Sequence, residues 1–275
     1  MFIGVDIGGS SIRVGGFSGV DNPQLLKYSK GQINLNYEEE LGRLIELIVE
    51  ESDGKAVEGI GMGIAGVWDE GLGKLVKSPN LQHWIGENFK EALSRYFNCK
   101  VVVANDAVAA ALGEARYGHG KGRSFLYITW GSGIGGVVIR TLGTKREIQS
   151  FEPGHQIIQL NGPDCTCGQK GCWEQFVGGN GIEKRYGRSA ESLDEKQWHE
   201  VMEYLSQGLI NCLVMHPVDL MIFGGGVALN QTQRLDKMNG ILKERMKIYP
   251  VPEIKLAALG ENVGVYGAVS LIEGS

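Results

Sequence analysis

Residues 2–17 read FIGVDIGGSSIRVGGF, two short apolar runs joined by a turn of glycine and serine. Each run is too short for a helix, and the small residues between them let the chain reverse. The stretch predicts a β-hairpin at the start of the chain, with Asp6 just before the turn. The pattern returns at 124–141, where a strand-like run meets GSGIGG (131–136) and a β-branched run follows. Two such turns hint at an old duplication.

Between and beyond the hairpins, strands alternate with helices. Leu41, Leu44, Ile45 and Ile48 recur at helical spacing in 37–51, and Phe89, Leu93, Tyr96 and Phe97 do so in 87–97. Residues 57–64, 101–104, 220–223 and 254–258 read as strands; 107–117, 201–216, 233–247 and the segment after Gly264 read as helices. Helices interleaved with strands and inserted hairpins point to an α/β chain with mixed sheets. A domain boundary is expected near helix 107–117.

Composition bounds the function. The chain has 275 residues, 43% apolar and 21% charged, which is ample for a globular core. With 27 basic and 32 acidic residues the net charge is −5, which offers no general attraction to nucleic acid or anionic lipid. Neither a signal peptide nor a membrane span is visible, so a cytoplasmic protein is expected. Glycine is in excess, at 42 residues without a collagen-like period, as expected where backbone turns tightly or approaches a ligand.

Gly131, Gly133 and Gly136 fit G-x-G-x-x-G, the dinucleotide-binding signature. That motif needs a helix after the glycines, whereas Val137-Val138-Ile139 is strand-like, so the dinucleotide reading is rejected. A strand–glycine–strand hairpin can instead aim backbone amides at phosphate oxygens. Gly8, Gly9 and Ser10 form one candidate, Gly131, Ser132 and Gly133 a second, and Gly224, Gly225 and Gly226 a third that could cradle an adenosine. Any one alone could be an ordinary tight turn; three together favour a nucleotide.

His155, Cys165, Cys167 and Cys172 place one imidazole and three thiols within 18 positions. Zinc takes such a Cys₃His set in structural sites, with no position left for water. The alternative is free buried thiols beside a surface histidine. Among the acids, Asp106 follows a buried strand and Asn105, and could accept a proton from a hydroxyl or simply cap the next helix. Glu152 and Glu174 flank the cysteine segment and could hold sugar hydroxyls, or be solvated charges. Asn80 and His83, beside Trp84, are either ligand contacts or a polar loop.

Together Asp6–Ser10, Asn105-Asp106, 131–136, Glu152-Pro-Gly-His155 and 165–174 (CTCGQKGCWE) resemble the ROK family of the actin-like ATPase superfamily, over essentially the whole chain. The resemblance implies two actin-like (ribonuclease H-like) lobes with mixed sheets and an active-site cleft between them. It implies residues 1–108, joined by the closing helix 264–275, as the small lobe, and 109–263, with the zinc loop 152–174, as the large one. By the same resemblance Asp106 is the catalytic base, and Gly66, Asn80, Asn105, Glu152, His155 and Glu174 join it in binding a hexose. His155 also binds zinc with the three cysteines. Asp6, Gly8, Gly9, Ser10, Gly131, Ser132, Gly133, Gly225 and Gly226 meet ATP, with Asp6 acting on Mg²⁺. The implied activity is transfer of phosphate from ATP to the 6-hydroxyl of a hexose, glucose first, with N-acetylhexosamine or fructose as alternatives; a non-catalytic sugar sensor is the alternative of another class. A homodimer is the implied assembly. Ser10 and Ser132 stand where the family more often has Thr, Val137 replaces a frequent third glycine, and Trp130 is bulkier than usual. Family repressors carry an N-terminal DNA-binding helix-turn-helix, for which no room is expected here.

Overall fold

The computed structural model describes residues 1–9, 11–33, 36–143 and 145–272. The chain forms two compact units: Met1–Gly118 together with residues from Asn262 on, and His119–Glu261.

The first unit is built on strands β1 (Phe2–Ile7), β2 (Ser11–Phe17), β3 (Leu25–Gln32), β4 (Gly59–Ile64) and β7 (Lys100–Asn105), in the order β3-β2-β1-β4-β7. A small hairpin, β5 (Val67–Asp69) and β6 (Lys74–Lys77), follows β4. β1 runs antiparallel to β2 and parallel to β4, so the opening hairpin forms as its sequence predicts. Helices α1 (Tyr37–Ser52) and α2 (Phe89–Phe97) press Leu44, Leu47, Ile48, Phe89 and Leu93 onto the sheet, with Ile3, Val5 and Ile60 beneath them. Removing each such side chain from water is worth about 1.5–3 kcal/mol. Helix α3 (Asp106–Tyr117) follows β7.

The second unit repeats the plan. Strands β8 (Phe125–Trp130), β9 (Ile134–Leu142), β10 (Lys145–Phe151), β11 (Leu220–Gly224) and β12 (Glu253–Leu256) lie in the order β10-β9-β8-β11-β12, with the same pattern of antiparallel and parallel pairs. After β10 come the short helices α4 (Glu174–Val177) and α5 (Gly179–Tyr186), then α6 (Glu195–Met215); α7 (Gly226–Asn230) and α8 (Thr232–Arg245) stand between β11 and β12. The core joins Leu126, Ile128 and Val138 to Trp198, Leu205 and Leu209 of α6 and Met238 of α8.

Helix α9 (Val263–Ser270) belongs to the first unit and lies directly on its sheet. A Cβ at Gly61 would fall 1.8 Å from the Ala268 carbonyl oxygen, so only glycine admits the helix at this distance. Among the described residues no helix is long and apolar enough to cross a membrane.

Candidate active site

In the first unit the predicted residues fall at the carboxyl edge of the sheet. Asp6, in β1, pairs across the hairpin with Arg13, whose guanidinium is 3.0 Å from its carboxylate. Asp6 is buried, and this burial pushes its pKa up, with Arg13 opposing the rise. The first turn of α9 closes over it: a Cβ at Gly264 would stand 2.3 Å from Asp6 Oδ2. In the turn itself the Gly8 amide donates to the Ser11 carbonyl (3.1 Å). The Asn80 amide lies against Gly9, 2.8 Å from where a Cβ would be. Ser10 lies outside the described residues.

Asn105 and Asp106 divide two jobs that the sequence left open. Asn105 is the N-cap of α3; its Oδ1 accepts from the amides of Ala107 (3.0 Å) and Val108 (3.2 Å), while its Nδ2 donates to the Gly66 carbonyl (3.0 Å). The capping role is therefore filled by Asn105 rather than by Asp106. Asp106 is the first residue of the helix, half-buried, with Oδ1 accepting from the Ala107 amide at 2.9 Å. A carboxylate here gains from the positive end of the helix dipole. His83 turns inward instead, its Nε2 lying 2.7 Å from the buried carboxylate of Glu40.

In the second unit the glycine loops and the cysteine segment form one assembly. The ligand atoms of His155, Cys165, Cys167 and Cys172 lie within 4.8 Å of one another. Cys165 Sγ is 3.5 Å from His155 Nδ1, and Cys167 Sγ is 3.5 Å from Cys172 Sγ. A zinc tetrahedron with bonds of about 2.3 Å has edges of roughly 3.8 Å, so the donor set and its spacing both fit zinc. The chain turns tightly enough because Gly168 (φ 93°) and Gly171 (φ 74°) take left-handed backbone. Burial acts to raise the Cys167 pKa, but the Gln169 amide and the sulfurs of Cys172 and Cys165 bring it down to about 7, toward the thiolate a metal binds.

Glu174, at the start of α4, connects this knuckle to the glycine hairpin. Its Oε1 lies 3.4 Å from Cys165 Sγ and 3.5 Å from His155 Nδ1, and its Oε2 sits 2.9 Å from where a Cβ on Gly133 would be. Glu152 stands just before the short turn Pro153–His155. Although part of Glu152 is exposed, burial of its carboxyl raises its pKa; nearby His155 opposes the rise and Glu174 adds to it.

The hairpin is held by residues that the motif reading passed over. The Gly179 amide donates to the Gly131 carbonyl (2.8 Å), and the Asn180 amide to the Ser132 carbonyl (2.9 Å). The signal was visible as Gly178-Gly179-Asn180-Gly181 soon after Glu174. The third glycine cluster lies beside the second: a Cβ on Gly131 would stand 3.8 Å from the Gly226 nitrogen and 4.0 Å from the Gly225 Cα, and Gly225 takes φ 91° with the Trp130 carbonyl close behind it. Trp130 does not crowd the turn, since its indole is buried and donates to the Val177 carbonyl (2.7 Å). Val137 lies inside β9, paired with Tyr127 and Ser150.

The ROK family model matches residues 2–275. A glucokinase of Thermotoga maritima is 29% identical over 98% of this chain and 96% of its own length. The xylose repressor of Bacillus subtilis is 26% identical over 78% of this chain and 60% of its own. The crystal structure of a ROK family glucokinase from Streptomyces griseus in complex with glucose and AMPPNP superposes with a TM-score of 0.83 at 26% identity, covering 100% of this chain and 99% of that one. The chain belongs to the ROK family, and its fold is that of the family's sugar kinases.

Proposed function

We propose that this ROK protein is an ATP-dependent hexose kinase that phosphorylates the 6-hydroxyl of its sugar, with glucose as the first candidate. The observation that carries the reading is Glu174, whose carboxylate spans from the Cys165–His155 knuckle to Gly133 of a bare glycine hairpin. A sugar-type acceptor and a phosphate-type loop are thereby fixed to one rigid piece of chain.

In this reading Asp106 accepts the proton of the 6-hydroxyl as its oxygen attacks the γ-phosphorus of MgATP. Gly66, Asn80 and Asn105 in the first unit, and Glu152, His155 and Glu174 in the second, orient the ring hydroxyls. Amides of Gly8, Gly9, Gly131 and Gly133, with the hydroxyls of Ser10 and Ser132, meet phosphate oxygens; Gly225 and Gly226 border the nucleoside. Asp6 reaches Mg²⁺ through water. Bound zinc would cross-link the His155–Cys172 segment and so hold the Glu152 and Glu174 carboxylates in place. Rate enhancement comes from positioning and from charge aimed at the transferring phosphoryl group.

Asp106→Ala tests the base. ADP release with glucose, mannose, fructose, N-acetylglucosamine and N-acetylmannosamine should fall about 10²- to 10⁴-fold for whichever sugar the parent turns over. A variant as active as the parent refutes the assignment. The likeness to a xylose repressor supports a second reading, a sugar sensor without turnover; it requires sugar binding with no ADP release by the parent.

A further inference from the structure

Asn80 sits on a short segment whose two ends are fastened separately. At the near end Ser78 Oγ donates to the Ala65 carbonyl (2.8 Å), next to Gly66, and accepts from the Leu81 amide (3.1 Å). At the far end the chain winds into the single 3₁₀ turn Gln82–Trp84. Both polar side chains at the end of that turn point at one acceptor. Trp84 Nε1 donates to Glu40 Oε2 at 2.5 Å, and His83 Nε2 lies 2.7 Å from the same oxygen.

Glu40 is 1% exposed and Trp84 fully buried, so this polar cluster is withdrawn from water. Hydrogen bonds to a buried carboxylate are worth more than neutral ones, and a buried donor left unpaired is costly. Glu40 is also the fourth residue of α1, where the positive end of the helix dipole favours a carboxylate. Tyr37 and Phe89 pack edge-on against the Trp84 ring at 5.3 and 5.0 Å, so the indole has little room to turn away.

We propose that Glu40 is a positioning residue: from α1 it holds the turn Gln82–Trp84 and thereby sets Asn80 against Gly9 of the glycine hairpin. Its effect passes through the segment 79–84. His83, expected from the sequence to be a ligand contact or part of a polar loop, becomes a member of this clamp.

Hydrogen exchange on the ligand-free protein tests the clamp without reference to turnover. In Glu40→Ala, amides of residues 80–86 should exchange at least about tenfold faster while those of β1 and β4 keep their protection. Unchanged exchange in 80–86 overturns the proposal, and a collapse of protection throughout the first unit reduces Glu40 to a general fold residue and overturns it too. Glu40→Gln, which keeps an acceptor for Trp84, should recover most of the protection.

The kinetic arm rests on the hexose-kinase reading. If the parent phosphorylates glucose, Glu40→Ala should raise the glucose KM about tenfold with kcat and the ATP KM within about twofold. An equal loss in all three overturns the proposal. His83→Ala should raise the glucose KM a few-fold, and its effect should vanish in the Glu40→Ala background. Effects that multiply instead would make His83 a direct sugar contact and overturn its place in the clamp. A parent that turns over no sugar sinks the kinase reading, while the exchange result still decides the clamp.

Discussion

Two glycine hairpins stand at the same place in two sheets of the same strand order, and they are held in different ways. The last pair of the β1–β2 hairpin is Ile7 with Ile12, and that of β8–β9 is Trp130 with Ile134. By this register Thr129 stands where Asp6 does. The first hairpin thus carries a buried acid paired with Arg13, and the Asn80 side chain lies against its turn. The second has no acid at that place; backbone amides of Gly179 and Asn180 fasten it, and Glu174 ties it to the cysteine knuckle. Strand order fixes where a turn lies, but the groups at its rim decide what it can hold. An acid suits a cation that accompanies polyphosphate, and backbone amides suit the polyphosphate itself.

Among changes that separate the two hairpins, the largest effect is expected from the knuckle. Cys167 is exposed, so Cys167→Ser costs little packing and reports on metal binding. It should lose bound zinc by elemental analysis, lower Tm by about 10 °C, and cut glucose kcat/KM by about a hundredfold or more. A chelator should do the same to the parent. A variant with unchanged melting and turnover would mean that the second hairpin is held by Gly179 and Asn180 alone.

Much of this contrast was legible in the sequence because it rests on residues with few alternatives. Short apolar runs around Gly8-Gly9 and 131–136 could only turn, and three thiols with an imidazole at that spacing fit one metal geometry. The exposed edges were hidden. β3 and β10 are edge strands whose side chains are mostly exposed on both faces, so no period-2 apolar pattern marks them. Helix α5 (GNGIEKRY) has poor intrinsic propensity; it forms because Gly181 packs against the backbone of Glu174 and Gln175. Helix α6 starts at Glu195, ahead of the expected 201, with Asp194 and Gln197 forming a capping box. Pairing by contact, as between Glu40 and the turn Gln82–Trp84, leaves no periodic trace at all.

Asp6→Asn probes the acid that separates the two hairpins. Under the proposed magnesium role kcat should fall some tenfold to a hundredfold. Stability should move the other way, with a pH dependence set by burial. Because burial raises the Asp6 pKa, the folded protein keeps that proton to higher pH than the unfolded chain does. The stability it contributes is full below the ordinary carboxylate pKa and is lost as pH rises through the raised one. Asp6→Asn has no proton to lose. Its melting temperature should match the parent's in acid and exceed it near neutrality; a lower Tm at pH 7 would mean that the Arg13 pair outweighs burial.

The smallest effects test how each turn is backed. A Cβ at Gly8 meets no protein atom closer than 3.9 Å, so Gly8→Ala should fold with Tm little changed, and the loss it causes should fall on the ATP KM, since its amide is proposed to meet phosphate. At Gly133 the added Cβ would lie 2.9 Å from Glu174 Oε2. That oxygen ends a side chain that can swing, so Gly133→Ala should fold with Tm little changed. Swinging it moves the carboxylate proposed to hold the sugar, by an amount that matters when geometry sets the rate. Glucose KM should therefore rise about tenfold while the ATP KM changes less. A Gly133→Ala variant with unchanged glucose KM would place Glu174 outside the sugar contacts and leave it a brace of the knuckle only.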